Sequence, residues 1–313
     1  KKTSDILLQL PIPGIVGIST EPYVNAASVK NEGWEFALGY NDQWGDWKFG
    51  ANVNFSKVKN EILDLHGKDS WITDWSINLE GHPINSYYGY VADGLYRTQA
   101  EVDEANEKNS VGGGALKLGD VRYKDVSGPE GKPDGVVDTY DRTVIGNALP
   151  KWYGGITNTF NYKGIDFSFM LQFNYGNDIY NATRLYATQT NTQRRNQLAE
   201  VADRWSPTNA SNKVPSYNGY VVNDVYSRFV EDGSFLRLKN ITLGYTLPHK
   251  WTRSFHASKL RIYATGQNLF CLNNYSGYDP EVSTASKSPM TPGLDWGAYP
   301  KSRVFTFGID LQF

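Results

Sequence analysis

Sulfur is scarce in these 313 residues, which hold two methionines and a single cysteine, Cys271. One cysteine excludes an internal disulfide and any Cys-rich zinc site. Neither sign of charge is in excess: 31 Lys+Arg face 33 Asp+Glu, for a formal net charge of −2. That balance, with no local basic run, excludes a polybasic nucleic-acid surface. No stretch approaches the roughly 18 apolar residues of a transmembrane helix. The early apolar run Ile6-Leu7-Leu8 is too short for a signal-peptide core, so the chain is expected to start behind a cleavage site or inside something larger. The four histidines, His66, His82, His249 and His256, share no metal-ligand spacing, and Gly112-Gly113-Gly114 lacks the Lys-Ser/Thr of a phosphate loop. No Gly-x-Ser-x-Gly elbow is present, and nothing argues for an enzyme.

Aromatic residues, by contrast, reach 14%, with 21 Tyr and 9 Trp, beside 26 Asn and 30 Gly. Such a composition favours strands and turns over helices. Mean hydropathy is −0.51. A transmembrane barrel is equally compatible with that value, because it hides half of each strand's residues inside.

Alternation of apolar and polar residues, the mark of a strand with one greasy face, is clearest at the end of the chain. Phe305, Phe307, Ile309, Leu311 and Phe313 alternate with Thr306, Gly308, Asp310 and Gln312. The pattern recurs at Phe167, Phe169, Leu171, Phe173 and Tyr175; at Trp34, Phe36, Leu38 and Tyr40; at Trp47, Phe49, Ala51, Val53 and Phe55; and at Ile241, Leu243, Tyr245 and Leu247. Weaker copies cover 152–162 and 260–268. Each run is about ten residues, the span of a tilted strand crossing a bilayer, whereas soluble strands are nearer five or six. Large aromatics close the apolar faces as an interfacial girdle would, and Gln, Asn, Ser, Thr and Asp fill the other face.

Connections alternate in length. Residues 42–46 and 163–165 are tight turns and 248–258 a modest one, while 57–151, 176–233 and 271–302 are long. Short on one side and long on the other is the asymmetry of an outer-membrane barrel with periplasmic turns and extracellular loops. The competing reading is a soluble, aromatic-rich β-protein that binds glycans without transport. Against it stand the strand lengths and the size of the connections, and no 40–50-residue repeat supports a propeller.

Particular strings then bring a family into view. They include Asn31-Glu32-Gly33-Trp34-Glu35, Tyr87-Tyr88-Gly89-Tyr90-Val91-Ala92-Asp93-Gly94-Leu95-Tyr96, Gly119-Asp120-Val121-Arg122-Tyr123-Lys124-Asp125 and Asp141-Arg142-Thr143-Val144-Ile145-Gly146-Asn147. Further on come Tyr175-Gly176-Asn177-Asp178-Ile179-Tyr180-Asn181, Phe235-Leu236-Arg237-Leu238-Lys239-Asn240, Gly266-Gln267-Asn268-Leu269-Phe270, Tyr278-Asp279-Pro280-Glu281 and Tyr299-Pro300-Lys301-Ser302-Arg303. In this order they resemble the C-terminal barrel portion of SusC/RagA-type TonB-dependent outer-membrane transporters of Bacteroidetes. The resemblance implies an all-β, antiparallel transmembrane barrel of 22 strands around a plug, of the kind known for outer-membrane transporters. It also implies import of oligosaccharides or peptides beneath a SusD-like lid lipoprotein, energised by the TonB complex through an N-terminal part. No plug or TonB-contacting segment is recognisable here, so residues 1–313 are expected to supply about the last eight strands, a partial one near Asp5–Gln9 among them. An eight-strand barrel closing on itself is the alternative.

Four groups of residues carry the expected functions. Phe307, Ile309, Leu311 and the terminal Phe313 look like the signal read by the outer-membrane assembly machinery. Asp125, Ser127, Asp134-Gly135, Asp138 and Asp141 fall at positions 1, 3, 5-6, 9 and 12 of an EF-hand-like calcium loop once Pro129-Glu130-Gly131-Lys132-Pro133 is excised. Polar residues of the strands' other face, Gln172, Asn174, Arg237, Asn240, Gln267 and Thr306, are placed to meet a polar oligomer. So are the loop aromatics Trp71, Trp75, Tyr186, Trp205, Tyr217, Tyr220 and Trp296, and the loop arginines Arg184, Arg194 and Arg195. Thr98 with Glu101 forms a capping box opening a helix through Lys108, and a second helix is expected where Leu198, Val201, Ala202 and Trp205 precede Ser206-Pro207.

Overall fold

The computed structural model describes residues 1–9, 23–65, 67, 69–72, 75–108, 110–111, 115–189, 196–211, 213–219, 225–282 and 293–313. Eight strands form one antiparallel sheet: β1 Lys2–Gln9, β2 Tyr23–Trp44, β3 Trp47–Asp64, β4 Trp152–Tyr162, β5 Ile165–Tyr175, β6 Phe235–Thr246, β7 Lys259–Asn273 and β8 Val304–Gln312. Each pairs with its chain neighbours in simple up-and-down order, and β1 and β8 stand at the two edges without pairing each other. The sheet is therefore open. A self-closed eight-strand barrel would require that missing ladder.

Its outer face is greasy and bare. Trp34 is 69% exposed and Phe307 81%, with Phe36, Leu38, Leu243, Ile262, Phe305 and Ile309 also exposed. Register sharpens this into bands. Trp34 pairs with Lys57, Lys57 with Trp152 and Trp152 with Tyr175, so these four lie side by side on one row of the outer face. Ten residues along β2, the row Trp44, Trp47, Tyr162 repeats the aromatic pattern, with Trp47 stacked on Tyr162 at 4.2 Å. Ten steps of about 3.3 Å, tilted by roughly 40°, span about 25 Å, the height of a transmembrane barrel's apolar band. Beyond both rows the face turns ionic, with Lys30–Glu32 and Lys59–Glu61 on one side and Lys163–Asp46 on the other.

The tight turns all lie at the second row. Lys163 and Gly164, both at positive φ, join β4 to β5 in two residues, the conformation that lets a right-twisted hairpin close. Gly45, also at positive φ, closes β2 on β3. Between β6 and β7 the modest gap folds as a short helix, His249–Thr252, running into a 3-10 turn.

Two departures from the periodicity are informative. First, β2 and β3 run on beyond the upper girdle as far as Tyr23 and Asp64, where a connection was expected from residue 57. This extension has no lipid face; it buries Ala27, Val29, Ile62 and Leu65 under Ile6 and Ile84, so its apolar residues do not alternate over a long run. Gly33 permits the close pairing at its base, since a side chain there would sit 1.9 Å from the Lys57 carbonyl oxygen. Second, β6 begins at Phe235, six residues before the legible alternation. Its register shifts between Leu238 and Asn240 against both neighbours, and such a bulge exchanges which parity faces outward.

At the upper end the long connections fold together. They contribute small sheets, among them Ser70–Ile72, Ser76–Leu79, Ser86–Gly89 and Thr143–Gly146 in one, and Val230–Asp232, Asp178–Asn181 and Leu294–Asp295 in another. One core, with Tyr87, Tyr90, Tyr123, Tyr180, Tyr226 and Phe229 buried in it, draws on segments from two of the three connections and on Leu294 from the last. The capping-box helix is present at Gln99–Glu107, with Thr98 and Glu101 bonded reciprocally as expected. The second expected helix is only a 3-10 turn, Ala199–Asp203, too short to propagate α-helical bonding before Pro207.

Candidate substrate-facing site

The inner face of β5 to β8 is mostly polar, with Met170, Phe235 and Val304 among its exceptions. Thr242 meets Asn240 at 3.2 Å and Thr265 at 2.9 Å, and Gln267 and Thr306 are exposed on the same face. Arg261 bridges Asp166 and Asp310 near the tight turns. Toward the loops a denser network forms. Arg237, 3% exposed, pairs with Asp279, while Glu281 gathers Lys239 at 3.1 Å, Lys301 at 2.7 Å and the Gln172 amide at 3.5 Å. The Arg237 Nε lies 3.0 Å from Glu281, close but not aligned as a hydrogen bond. Arg237 and Gln172, expected to face substrate, thus hold the 279–281 segment of the last long connection against the wall. Burial alone would raise the Asp279 and Glu281 carboxyls, but backbone N–H donors and the neighbouring Arg237, Lys239 and Lys301 hold both below their ordinary values. Asn174, paired with Phe235 at the loop end of β5, is half-buried.

Above that network the structure brings three expected aromatics together. Trp75 meets Trp296 edge-on at 5.6 Å, and Tyr186 lies 4.6 Å from the same indole. Tyr186 and Trp296 line a cleft of about 350 Å³ with Thr183, Ala187, Asn196 and Gly297. Trp296 stays 49% exposed. Helix Ala182–Thr188 positions Tyr186, and the Asn181 side chain caps it by accepting the Arg184 N–H at 2.8 Å. The Thr183 hydroxyl donates to Asp295 and accepts the Gly297 N–H at 2.7 Å, which fastens the Trp296 turn to that helix. Tyr275 donates to the buried Asp295, whose charge, after burial, raises the phenol further. Thr183, Asp295 and Gly297 carry no motif, and sequence reading missed them; the Asp-Trp-Gly string was their one signal.

Other expectations resolve differently. Arg184 does not reach outward: it clamps Glu200 through two bonds of 2.9 Å and reaches Glu231 at 3.2 Å, and its guanidinium lowers the Glu200 carboxyl. Trp205 packs against the loop core, Trp71 is buried, and Tyr217 is exposed. Arg194, Arg195 and Tyr220 lie outside the described residues.

The acidic loop is ordered by its own backbone. Asp141, fully buried, accepts the N–H groups of Val126 at 2.6 Å, Ser127 at 3.0 Å and Asp138 at 2.7 Å. Asp125 accepts from Gly135, Asp134 from Val136 and Asp138 from Tyr140. Among the described residues no three His, Cys, Asp or Glu side chains come close enough to hold a metal, so Asp125, Ser127, Asp134, Asp138 and Asp141 do not converge as the calcium set expected from spacing. The carboxylates accept from backbone amides instead, and Asp125 bonds across the five-residue insertion to the Gly135 N–H.

No family model matches the chain. Similar curated proteins are TonB-dependent receptors P3 and P26 of Formosa agariphila, at 31% and 32% identity, and the TonB-dependent receptor SusC of Bacteroides thetaiotaomicron at 27%. All of this chain is matched in each case, against 31%, 32% and 29% of the relative, so it spans about a third of the length of the curated relatives it matches. Among solved structures, the RagAB peptide transporter superposes over all of the chain and 32% of its own, with TM-score 0.80 at 24% identity. Its fold accounts for the open edges: the eight strands are a portion of a larger barrel wall. These relatives carry the names of receptors and transporters, not of enzymes.

Proposed function

From homology along its whole length to TonB-dependent receptors of the SusC/RagA type, we propose that this chain forms part of the wall and outer loops of an energy-coupled outer-membrane importer. The cargo is a polar oligomer, an oligosaccharide or a peptide, held on the cleft of Tyr186 and Trp296, which Trp75 backs, above the polar inner face. One observation carries the reading: a bare apolar band about 25 Å high, bounded by aromatic rows and then by charge, on strands whose other face is polar. A soluble glycan-binding protein would have no use for that band. The partners that follow are a SusD-like lipoprotein over the folded loops, the TonB complex, contacted outside these residues, and the assembly machinery, for which Phe307, Ile309, Leu311 and Phe313 line the exposed end of β8. RagAB, named as a peptide transporter, supports the peptide, and the oligosaccharide rests on the sequence resemblance.

Deleting the gene and growing the host on single oligosaccharides or peptides tests this. Loss of growth on one class is expected, and it identifies the cargo. Unchanged uptake of every oligomer would refute the importer.

A further inference from the structure

The upper aromatic row holds one residue that does not belong in a purely apolar band. Lys57 sits between Trp34 and Trp152 on the outer face, flanked in register by both, and is exposed. One strand over, Lys151 immediately precedes Trp152, and its stem lies across Gly176. Both lysines line a cleft of about 690 Å³ together with Trp152, Tyr175, Asp178 and Asp232. Neither lysine makes an ion pair among the described residues, whereas the next outward lysine, Lys59, is already neutralised by Glu61 at 2.7 Å. The two carboxylates of the cleft are engaged by backbone: Asp178 accepts the Asn147 N–H at 2.8 Å and Asp232 the Ser234 N–H at 2.9 Å. Burial raises the Asp178 carboxyl, although the Asn147 N–H and the Lys151 charge act the other way.

Two unpaired cations at the height where hydrocarbon meets headgroups are matched by an anion carried at that height. Lysine favours phosphate as a compact point charge, and flat indole and phenol rings sit at the headgroup level beside it. We propose that Lys57 and Lys151, framed by Trp34, Trp152 and Tyr175, form a binding site for the phosphorylated headgroup of an outer-leaflet glycolipid. The site fixes a lipid against β3 and β4 beneath the extracellular loops. It rests on the membrane reading above, and Lys57, Trp34, Trp152 and Tyr175 lie on the opposite face of the wall from the polar residues assigned to cargo.

Full-length protein extracted in mild detergent, mixed with diphosphoryl lipid A and followed by native mass spectrometry, tests the site. Wild type should retain the lipid, and the variant carrying Lys57→Gln with Lys151→Gln should bind it roughly thirtyfold more weakly, the effect of two interfacial lysines. Lys48→Gln, at the far end of β3, should bind as wild type does. Equal retention of dephosphorylated lipid, or unchanged retention by the double variant with its thermal transition intact, overturns the proposal. Displacement by excess inorganic phosphate would also overturn it, by reassigning the site to the free anion. A protein embedded in membranes that retains no lipid sinks this site alone, while recovery of the protein in the soluble fraction sinks the membrane reading as well.

Discussion

Arg237 was legible in sequence only as a polar residue on an inward face; its partners, Asp279 and Glu281, lie more than forty positions away, and no local pattern announces them. Removing one member of a buried ion pair leaves the other uncompensated, which costs about 3–5 kcal/mol. Arg237→Ala should therefore lower the temperature at which the full-length barrel loses its folded, faster-migrating gel band, and the 276–282 segment should become open to protease. A wild-type transition would remove Arg237 from this role. The same contact sets a pH dependence. Asp279 and Glu281 sit below their ordinary values of 3.8 and 4.5, so their contribution is complete above those values and fades as pH falls through the lower, folded-state ones. Proteolysis of that segment should accelerate below about pH 4, in step with the protonation of those carboxylates. Asp141 teaches the same lesson: the EF-hand spacing singled out the residues that organise the loop, but not whether their oxygens turn toward a cation or toward amides.

Strands could be read wherever one face meets lipid, because a lipid face imposes strict alternation over ten residues. The reading stopped where the face was shared with protein, in the upper halves of β2 and β3, and where the bulge in β6 exchanged parity. Loop sheets of three or four residues are too short to show a period, and the burial of their tyrosines depends on segments far apart in sequence. Short and long connections were legible, and they fix a topology: the tight turns share one end of the sheet. Epitope tags near 41–45 or 163–164 should be hidden in intact cells, and a tag near Asn209 should be labelled from outside; the reverse pattern would invert the orientation. A tag near Ser286 falls outside the described residues. At the terminal element, deleting Phe313 should reduce the assembled barrel in the membrane, and normal abundance would dismiss the assembly signal.

The molecule as a whole is a wall with two unsatisfied edges, and a bilayer tolerates no exposed ladder of N–H and C=O groups. β1 and β8 must therefore meet further strands, as the match to a third of longer relatives also indicates. What these residues contribute to that larger barrel is a defined slice of membrane, and its depth can be tested position by position. On β2 the aromatic rows stand at Trp34 and Trp44, so Leu38, in register with Val53 and through it with Ile156, lies near the midplane. A charge placed at the centre of a barrel's lipid face costs roughly 2–4 kcal/mol, falling to about 0–1 near the interface. Leu38→Arg should accordingly destabilise the full-length protein in lipid vesicles by several times as much as Trp34→Arg does, with Phe36→Arg between them. Chemical denaturation in vesicles measures the series. A flat profile across the three positions would mean that this face does not meet lipid, and would withdraw the barrel wall along with it.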